Sequence, residues 1–207
     1  MSDRYHHGRL REALLESSVE ILSEGGPRAL SLREAARRAG VSSGAPYRHF
    51  RDKDQLLAAI ALRAFEAFDA DLAAAGAEAR GHDASPLEVL RQLGVAYVRF
   101  SAEHPAEFRL MFGEFAPKRE PDSELGKAVQ SAAGHLSRAV DELLRAAGGS
   151  PSAKQDTTVL AWSLVHGLAA LHLDGHLGAS DPESVTAAAQ RLTTTLMHAI
   201  ASSLKLS

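Results

Sequence analysis

Capping residues followed directly by proline divide much of this chain into helices. Ser85-Pro86, Ser150-Pro151 and Asp181-Pro182 each place a side-chain oxygen beside the free N–H groups of a helix start. The proline then takes the first helical position, where its missing N–H costs nothing. Ala and Leu dominate between these signals, and β-branched runs and alternating apolar patterns are nearly absent. The sequence therefore predicts an all-α fold of about nine helices.

The stretch 31–53, SLREAARRAGVSSGAPYRHFRDK, predicts two short helices around a glycine turn. Ser31 and Glu34 have the spacing of a capping box, and Gly40 stands where a helix end favours a left-handed residue. Ser42 or Ser43 can cap a second helix, which ends in Tyr47-Arg48-His49-Phe50. This is the helix-turn-helix pattern, which places its second helix in the DNA major groove.

Pro46 complicates the start of that second helix. With Ser42 as the cap, Pro46 deletes the first intrahelical hydrogen bond, whereas with Ser43 as the cap it does not. We therefore expect a late or irregular start. Phe50 is expected to anchor the motif to a preceding helix, which the pattern places over about residues 8–24, before Gly25-Gly26-Pro27.

Charge is unevenly distributed along the chain. Residues 1–53 carry ten Arg or Lys and seven acids, whereas the rest carries thirteen and nineteen. A cationic head on an acidic body fits a DNA reader, although ordinary charge scatter explains it as well. The chain has no cysteine, and it shows neither a signal peptide nor a long apolar run. We expect a soluble cytoplasmic protein that does not enter membranes.

The motif resembles the N-terminal DNA-binding domain of TetR-family transcriptional regulators. The matching features are Ala36, Ala39-Gly40-Val41, Tyr47-Arg48-His49-Phe50 and Asp52-Lys53. The resemblance implies a DNA-binding domain over residues 1–53 and a helical ligand-binding and dimerisation domain over residues 54–207. It further implies a homodimeric regulator, a repressor, that binds a palindromic double-stranded DNA operator and is released by a small effector. A DNA-binding or protein-docking module without an effector is the alternative.

The family pattern also implies which side chains meet DNA. Arg33 can reach a base edge. The groove-facing positions are Ser43, Gly44 and Ala45, with Arg48 as a further candidate. Tyr47, His49 and Lys53 match positions that hold phosphates, although packing is the alternative for Tyr47. Small residues in the groove imply backbone approach and thymine-methyl contact. The predicted DNA-binding residues are Arg33, Ser42, Ser43, Gly44, Ala45, Tyr47, Arg48, His49 and Lys53. The arm at residues 4–9 either adds contacts or touches nothing.

The last two helices suit the dimerisation that the resemblance implies. Residues 159–171, VLAWSLVHGLAAL, are apolar around nearly the whole helix, so several sides must be buried. The predicted interface residues are Leu160, Leu164, Leu168, Leu171, Val185, Leu192, Leu196 and Ile200. Trp162, His166 and Gly167 also resemble a subgroup named for a Trp-His-Gly signature. Glycine in mid-helix costs about 1 kcal/mol relative to Ala, which a close helix crossing at Gly167 would recover.

Aromatic and soft side chains predict an effector pocket among the helices that follow the motif. The candidates are Phe65, Phe68, Tyr97, Phe100, Arg109, Met111, Phe112, Trp162 and His166. Ordinary core packing explains each one singly. A mostly apolar effector is implied, with Tyr97, Arg109 and His166 as its polar contacts.

Catalytic fingerprints are missing from the sequence. No G-x-S-x-G, H-E-x-x-H, P-loop or dinucleotide motif occurs, so we expect no enzyme and no cofactor. His172 and His176 are spaced for a metal, but histidine is also favourable at a helix C-terminus. We predict no metal site.

Overall fold

The fold is all-α, as predicted. The computed structural model describes the backbone of residues 2–177 and 181–203, and the side chains of residues 9–177, 181 and 183–195. Within these residues there is no strand, and no helix is long and apolar enough to cross a membrane. The described helices are α1 (Ser2–Ala29), α2 (Leu32–Arg38), α3 (Lys53–Gly81), α4 (Pro86–Glu103), α5 (Pro105–Phe112), α6 (Glu124–Ala146), α7 (Lys154–Leu173) and α8 (Pro182–Ser203), with 3-10 segments at Ala45–Arg48 and Pro151–Ala153.

The predicted cap-plus-proline signals are confirmed. Ser85 Oγ accepts a hydrogen bond from the Glu88 N–H at 3.2 Å, and Asp181 Oδ1 accepts from the Ser184 N–H at 2.8 Å. Ser150 Oγ accepts from the Ser152 N–H at 3.3 Å, but the segment that follows is a short 3-10 turn before α7. Each of these helix starts satisfies backbone donors that would otherwise lack a partner.

α1 is broken at Gly26, close to the predicted stop. Gly26 has φ 66° and ψ −174°, inside a helix that otherwise runs on to Ala29. Only glycine adopts a positive φ of this kind at little cost, so the glycine at position 26 permits the break in the helix. Pro27 follows directly and cannot donate a backbone hydrogen bond, which keeps its neighbourhood outside the regular helix.

The chain divides into two compact units. Unit 1 comprises residues 1–65 and 105–127, and unit 2 comprises residues 66–104 and 128–207. Leu14, Leu15, Phe50 and Leu110 are among the most buried side chains of unit 1. Val89, Val98, Phe100 and Leu143 are among those of unit 2. The domain boundary after residue 53 stays a prediction.

In unit 2, α4 lies close to α7 and α8 at Gly94. A Cβ atom at Gly94 would lie 3.1 Å from Val165 Cγ1 and 3.3 Å from Thr193 Cγ2. A Cβ atom at Gly167 meets no described atom within 4 Å. Within the described residues nothing crosses close to Gly167, and the crossing expected there stays a prediction. Glycine at position 94, which the sequence analysis did not single out, serves that purpose.

Candidate nucleic-acid interface

Hydrogen bonds at both ends define α2, the first helix of the candidate motif. The Glu34 N–H donates to Ser31 Oγ at 3.1 Å. At the other end the Val41 N–H donates to the Ala36 carbonyl at 3.0 Å, and the Gly40 N–H to the Arg37 carbonyl at 3.2 Å. This pair of bonds is a Schellman motif, and Gly40 supplies its left-handed residue with φ 67°. The predicted start and end of this helix are confirmed.

Polar contacts fix α2 against α1. The buried Ser17 hydroxyl donates to the Ala35 carbonyl at 3.1 Å. Arg38 pairs with Glu24 of α1 and also with Glu34 of α2. The sequence analysis missed these contacts, because pairing across two helices depends on how they are aligned and not on spacing along the chain.

Arg37 and Arg38 stabilise the ionised forms of the Glu24 and Glu34 carboxyls. The hydrogen bond from the Arg38 guanidinium lowers the pKa of Glu24, although burial opposes this shift. The Arg37 hydrogen bond is the largest cause that lowers the pKa of Glu34 to about 2, with Arg38 adding to it. Both carboxylates are therefore charged at neutral pH, and they partly offset the cations of α2.

The second helix of the motif is shorter than predicted. Only one 3-10 turn forms, Ala45–Arg48, and its N-cap is Gly44 without a side-chain hydrogen bond. The prediction that Ser42 or Ser43 caps this helix is wrong. Pro46 has no N–H to give to the Ser42 carbonyl, and the Ala45 N–H donates to it instead, at 2.9 Å. The irregular start expected from Pro46 is confirmed.

Most of the predicted DNA-binding residues are accessible. The Tyr47 side chain is 53% exposed, an unusual state for a large aromatic residue on a structured turn. Arg33, Ser42, Ser43, Gly44 and Arg48 are exposed, whereas Ala45 and His49 are half-buried. The motif thus offers hydroxyl and guanidinium donors around a stretch of small residues. Side chains of residues 4–8, part of the predicted arm, lie outside the described residues.

Phe50 and Lys53 connect the motif to α1 through packing and a hydrogen bond. Phe50 is only 2% exposed, and the Arg11 guanidinium lies 5.8 Å from its ring centroid, so the predicted anchoring is confirmed. Lys53 Nζ donates to the Pro27 carbonyl at 2.6 Å. This bond was not predicted, and it gives Lys53 a structural role at the kink of α1. Its phosphate contact stays a prediction.

The predicted effector residues of unit 2 form one cluster. Phe68 packs edge-on against Tyr97, with ring centroids 5.2 Å apart, and lies 5.0 Å from Phe100. Tyr97 Oη lies 2.7 Å from His166 Nδ1 and accepts a hydrogen bond from Trp162 Nε1 at 3.3 Å. Three buried aromatic rings therefore adjoin a short polar chain that ends at Trp162, which is 43% exposed.

Burial favours the neutral form of His166. Indole Nε1 can only donate, so the Tyr97 oxygen accepts from Trp162, and its second lone pair and its own proton allow either direction for the bond with His166 Nδ1. Burial lowers the pKa of His166, because it disfavours the charged imidazolium.

The remaining predicted effector residues belong to unit 1. Phe65 and Phe112 pack edge-on at 5.7 Å, and the Arg119 guanidinium lies 5.0 Å from the Phe65 ring centroid and 5.6 Å from that of Phe112. Arg119 also donates to the carbonyl of the buried Met111, whereas Arg109 is exposed. Arg119 was missed, because a lone arginine in a loop carries no periodic signal.

A cavity of about 270 Å³ lies in unit 2 between α3 and α4. Five of its eleven lining residues are alanines, and Glu78, Glu88, Gln92 and Arg99 are among the polar ones. None of the predicted effector residues lines it. The predicted residues and this cavity are therefore separate features of unit 2.

The predicted dimer residues divide by exposure. Leu160, Leu171 and Leu192 are 54%, 46% and 45% exposed, and Leu164 is half-buried. Leu168 and Val185 are 5% and 2% exposed, so in this protomer they lie in the core of unit 2, and their part in an interface stays a prediction. The side chains of Leu196 and Ile200 lie outside the described residues.

Sequence comparisons match both parts of the chain. Residues 14–60 match the family model described as bacterial regulatory proteins, tetR family. Residues 90–196, just over half of the chain, match the model described as tetracyclin repressor-like, C-terminal domain. An HTH-type transcriptional repressor of Mycobacterium tuberculosis is 42% identical over 48 residues, which are 23% of this chain and 26% of that protein. The chain thus matches about a quarter of the length of this curated relative.

Solved structures match over nearly the whole chain. A protein of unknown function from Rhodococcus sp. RHA1 is 32% identical with a TM-score of 0.74, over 93% of this chain and 97% of that one. A bacterial regulatory protein in the tetR family from Rhodococcus RHA1 is 21% identical with a TM-score of 0.69, over 91% and 96%. At the lower identity the likeness concerns the fold alone.

Proposed function

Because this chain belongs to the tetR family of bacterial regulatory proteins, we propose that it is a ligand-responsive transcriptional repressor. It binds a palindromic double-stranded DNA operator as a homodimer, and a small, mostly apolar effector releases it. The observation that carries the DNA-binding part is the capped α2, Gly40 turn and exposed 3-10 segment in one motif.

The exposed side chains of the motif support DNA reading. Tyr47 and Arg48 can donate to phosphate oxygens, and Arg33 at the start of α2 carries a guanidinium that can donate to a guanine edge. Gly44 and Ala45 present little side chain, so the backbone of this turn can approach the bases closely. Because one helical turn reads few base pairs, a second copy of the motif is needed for specificity. In a dimer the two motifs would lie about 34–36 Å apart, on successive major grooves.

Two aromatic clusters support an effector. In unit 2, the buried rings of Phe68 and Phe100 lie beside the Tyr97 hydroxyl and the His166 ring. An effector with an apolar body and one hydrogen-bonding group would match these side chains, since ligand pockets combine apolar walls with a few placed polar atoms. In unit 1, Phe65, Phe112 and Arg119 offer a similar combination.

DNA binding is tested by selecting fragments from a randomised palindromic library and measuring affinity by fluorescence anisotropy. If Tyr47 and Arg48 contact bases, Tyr47→Phe and Arg48→Ala should each weaken binding to the selected sequence by about 1–3 kcal/mol. If they contact phosphates, each variant should weaken binding to all DNA sequences to a similar extent. If the Arg48 guanidinium contacts a phosphate, Arg48→Ala should also lower the salt slope by about 1. Arg145→Ala removes an exposed arginine of α6 and is the matched control. Equal loss in all three variants would refute the motif as the reading element.

Effector binding is tested with the fluorescence of Trp162, the only tryptophan of the chain. A panel of small apolar compounds is titrated, and each compound that changes the emission is tested for release of the selected DNA. Tyr97→Phe removes the hydroxyl that Trp162 and His166 share, whereas Tyr47→Phe leaves it in place. A broad panel that neither changes emission nor releases DNA would favour a regulator without an effector.

A further inference from the structure

Arg119 places its positive charge on a pair of aromatic rings in unit 1. Its guanidinium carbon lies 5.0 Å from the ring centroid of Phe65 and 5.6 Å from that of Phe112. The guanidinium also donates a hydrogen bond to the carbonyl of Met111, whose side chain is buried. Ring faces and a carbonyl oxygen all carry negative partial charge, so together they form a binding site for a cation.

The two rings are held in place by contacts of their own. Phe65 in α3 is 2% exposed and packs edge-on against Phe112 in α5, with ring centroids 5.7 Å apart. Phe112 also packs against the buried Phe108 of α5 at 4.8 Å. Arg119, in contrast, comes from the loop at residues 113–123 between α5 and α6. Loops open at a lower free energy than packed helices, so Arg119 can leave while the rings stay in place.

The same loop makes a second contact of this type, with the roles reversed. The Phe115 ring of the loop lies 5.8 Å from the guanidinium carbon of Arg28, near the end of α1. Arg28 follows Pro27, whose carbonyl accepts the hydrogen bond from Lys53 at the start of α3. Arg119 therefore helps to hold a loop that reaches the place where α1 is bound to the start of α3.

We propose that the ring pair of Phe65 and Phe112 is a site for an organic cation, which binds in place of the Arg119 guanidinium. Arg119 leaves behind the space of its own head group and methylene chain, so a guanidinium on an alkyl chain has a matching shape. A side chain tethered through a short loop competes at an effective concentration on the order of millimolar. The ligand therefore needs an apolar body besides its charge, because each further buried methylene group strengthens binding.

The cation site deepens the proposed function, and only its effect on DNA rests on that proposal. Ligand binding releases Arg119 and so removes one of the contacts that hold the loop. The loop then holds Arg28 less firmly, and with it the end of α1 that Lys53 binds. Because the reading motif lies between α1 and α3, its DNA affinity falls. The effector class that this site selects is an apolar body with a positively charged head.

Calorimetric titration with phenethylguanidinium tests the site, and phenethylurea is its neutral control of nearly the same shape. Arg119→Gln removes the competing cation and should bind the guanidinium compound at least about ten times more tightly than the unsubstituted chain does. The same variant should prefer the guanidinium compound to the urea at least about ten-fold, because a ring face attracts a cation. Arg145→Gln is the matched control and should bind like the unsubstituted chain, since Arg145 also donates to a backbone carbonyl, that of Asp141 in α6.

Removing one ring tests whether the rings hold the cation. In the Arg119→Gln chain, a further Phe112→Leu keeps much of the apolar volume of this half-buried side chain but removes its ring. The affinity for phenethylguanidinium should then fall at least about five-fold, while that for phenethylurea should change less. A thermal unfolding transition of the double variant shows that it is folded, and Phe65→Leu gives the same readout if it is not.

Equal affinities of the Arg119→Gln chain for the guanidinium compound and the urea would overturn the inference. Equal affinities of Arg119→Gln and Arg145→Gln for the guanidinium compound would overturn it as well. Release of the selected DNA is measured separately, by anisotropy at saturating phenethylguanidinium. A chain that binds the cation but prefers no DNA sequence would refute the proposed repressor and still support the cation site. Unchanged affinity for the selected DNA at saturation would overturn the claim that this site regulates DNA binding.

Discussion

The DNA-binding motif and the packed helices α4, α7 and α8 are held in different ways. In the motif, α2 has only seven residues, and caps, the Ser17 hydrogen bond and the Arg38 ion pairs fix it at its edges. In unit 2, longer helices pack on apolar side chains around Gly94. The first arrangement leaves a polar surface and the second leaves an apolar one. The difference indicates that substitutions in the motif act mainly on DNA affinity, and those on the helices mainly on stability and assembly.

The largest effect is expected where the motif does depend on apolar burial. Phe50→Ala should lower the free energy of unfolding by about 3–5 kcal/mol, because it empties a site that is 2% exposed. Tyr47→Ala, on the same turn but 53% exposed, should change it by less than about 0.5 kcal/mol and act on DNA binding instead. Urea denaturation measures both. If both variants lose a similar free energy of unfolding, Tyr47 stabilises the fold as Phe50 does and is not a side chain reserved for DNA contact.

The next effect tests the crossing at Gly94. Gly94→Val should destabilise the protein by about 1–3 kcal/mol, because its side chain would overlap Val165 and Thr193. Gly134→Ala fills open space in a helix interior and should stabilise by up to about 1 kcal/mol. The denaturant midpoint should therefore fall for Gly94→Val and rise for Gly134→Ala. If Gly94→Val is also neutral or stabilising, the packing of α4 against α7 and α8 is looser than described.

A smaller effect is expected from the polar chain beside that packing. Tyr97→Phe removes the hydroxyl that bonds His166 and Trp162, and should cost about 0.5–1.5 kcal/mol, since both partners are only partly buried and water can replace the hydroxyl. His166 should titrate below its usual pKa in an NMR experiment, because burial disfavours the imidazolium. The contribution of His166 to the free energy of unfolding is therefore complete above about pH 6.5 and declines as the pH falls below that value. A His166 pKa above 6.5 would contradict this effect of burial.

Local signals predicted the elements well, and pairings between elements poorly. Ser31, Gly40, Ser85 and Asp181 act on backbone groups within a few residues, so their effects can be read along the chain. The motif and the all-α fold followed from such signals. The contacts of Lys53 with the Pro27 carbonyl and of Arg38 with Glu24 depend on how distant segments are aligned. The spacing of residues along the chain does not predict how such distant segments lie against each other.

The same distinction explains the errors on the candidate sites. The lack of a polar face predicted that α7 is buried on several sides, but could not say which leucine faces the protomer and which faces water. Leu168 and Leu171 have the same residue type three positions apart, and only one of them is buried. Gly167 is conspicuous in an apolar run, whereas Gly94, where the helices of the protomer do come close, lies among ordinary helix residues. Open space around a glycine is a property of the fold and not of its neighbours in sequence.

The smallest effect is expected at the ion pairs that fix α2. Arg37 and Arg38 hold the pKa of Glu34 at about 2, below the model-compound value of 4.5. The stability gained from this carboxylate is therefore present above about pH 4.5 and is lost as the pH falls toward 2. Glu34→Gln should be less stable than the unsubstituted chain at neutral pH, and the difference should shrink through that acid range. Raising the ionic strength from about 0.1 M to about 1 M should shrink it at neutral pH as well, because salt screens exposed pairs. A difference that is independent of both pH and salt would mean that Glu34 acts through packing, and the motif would then be held much as the helices of unit 2 are.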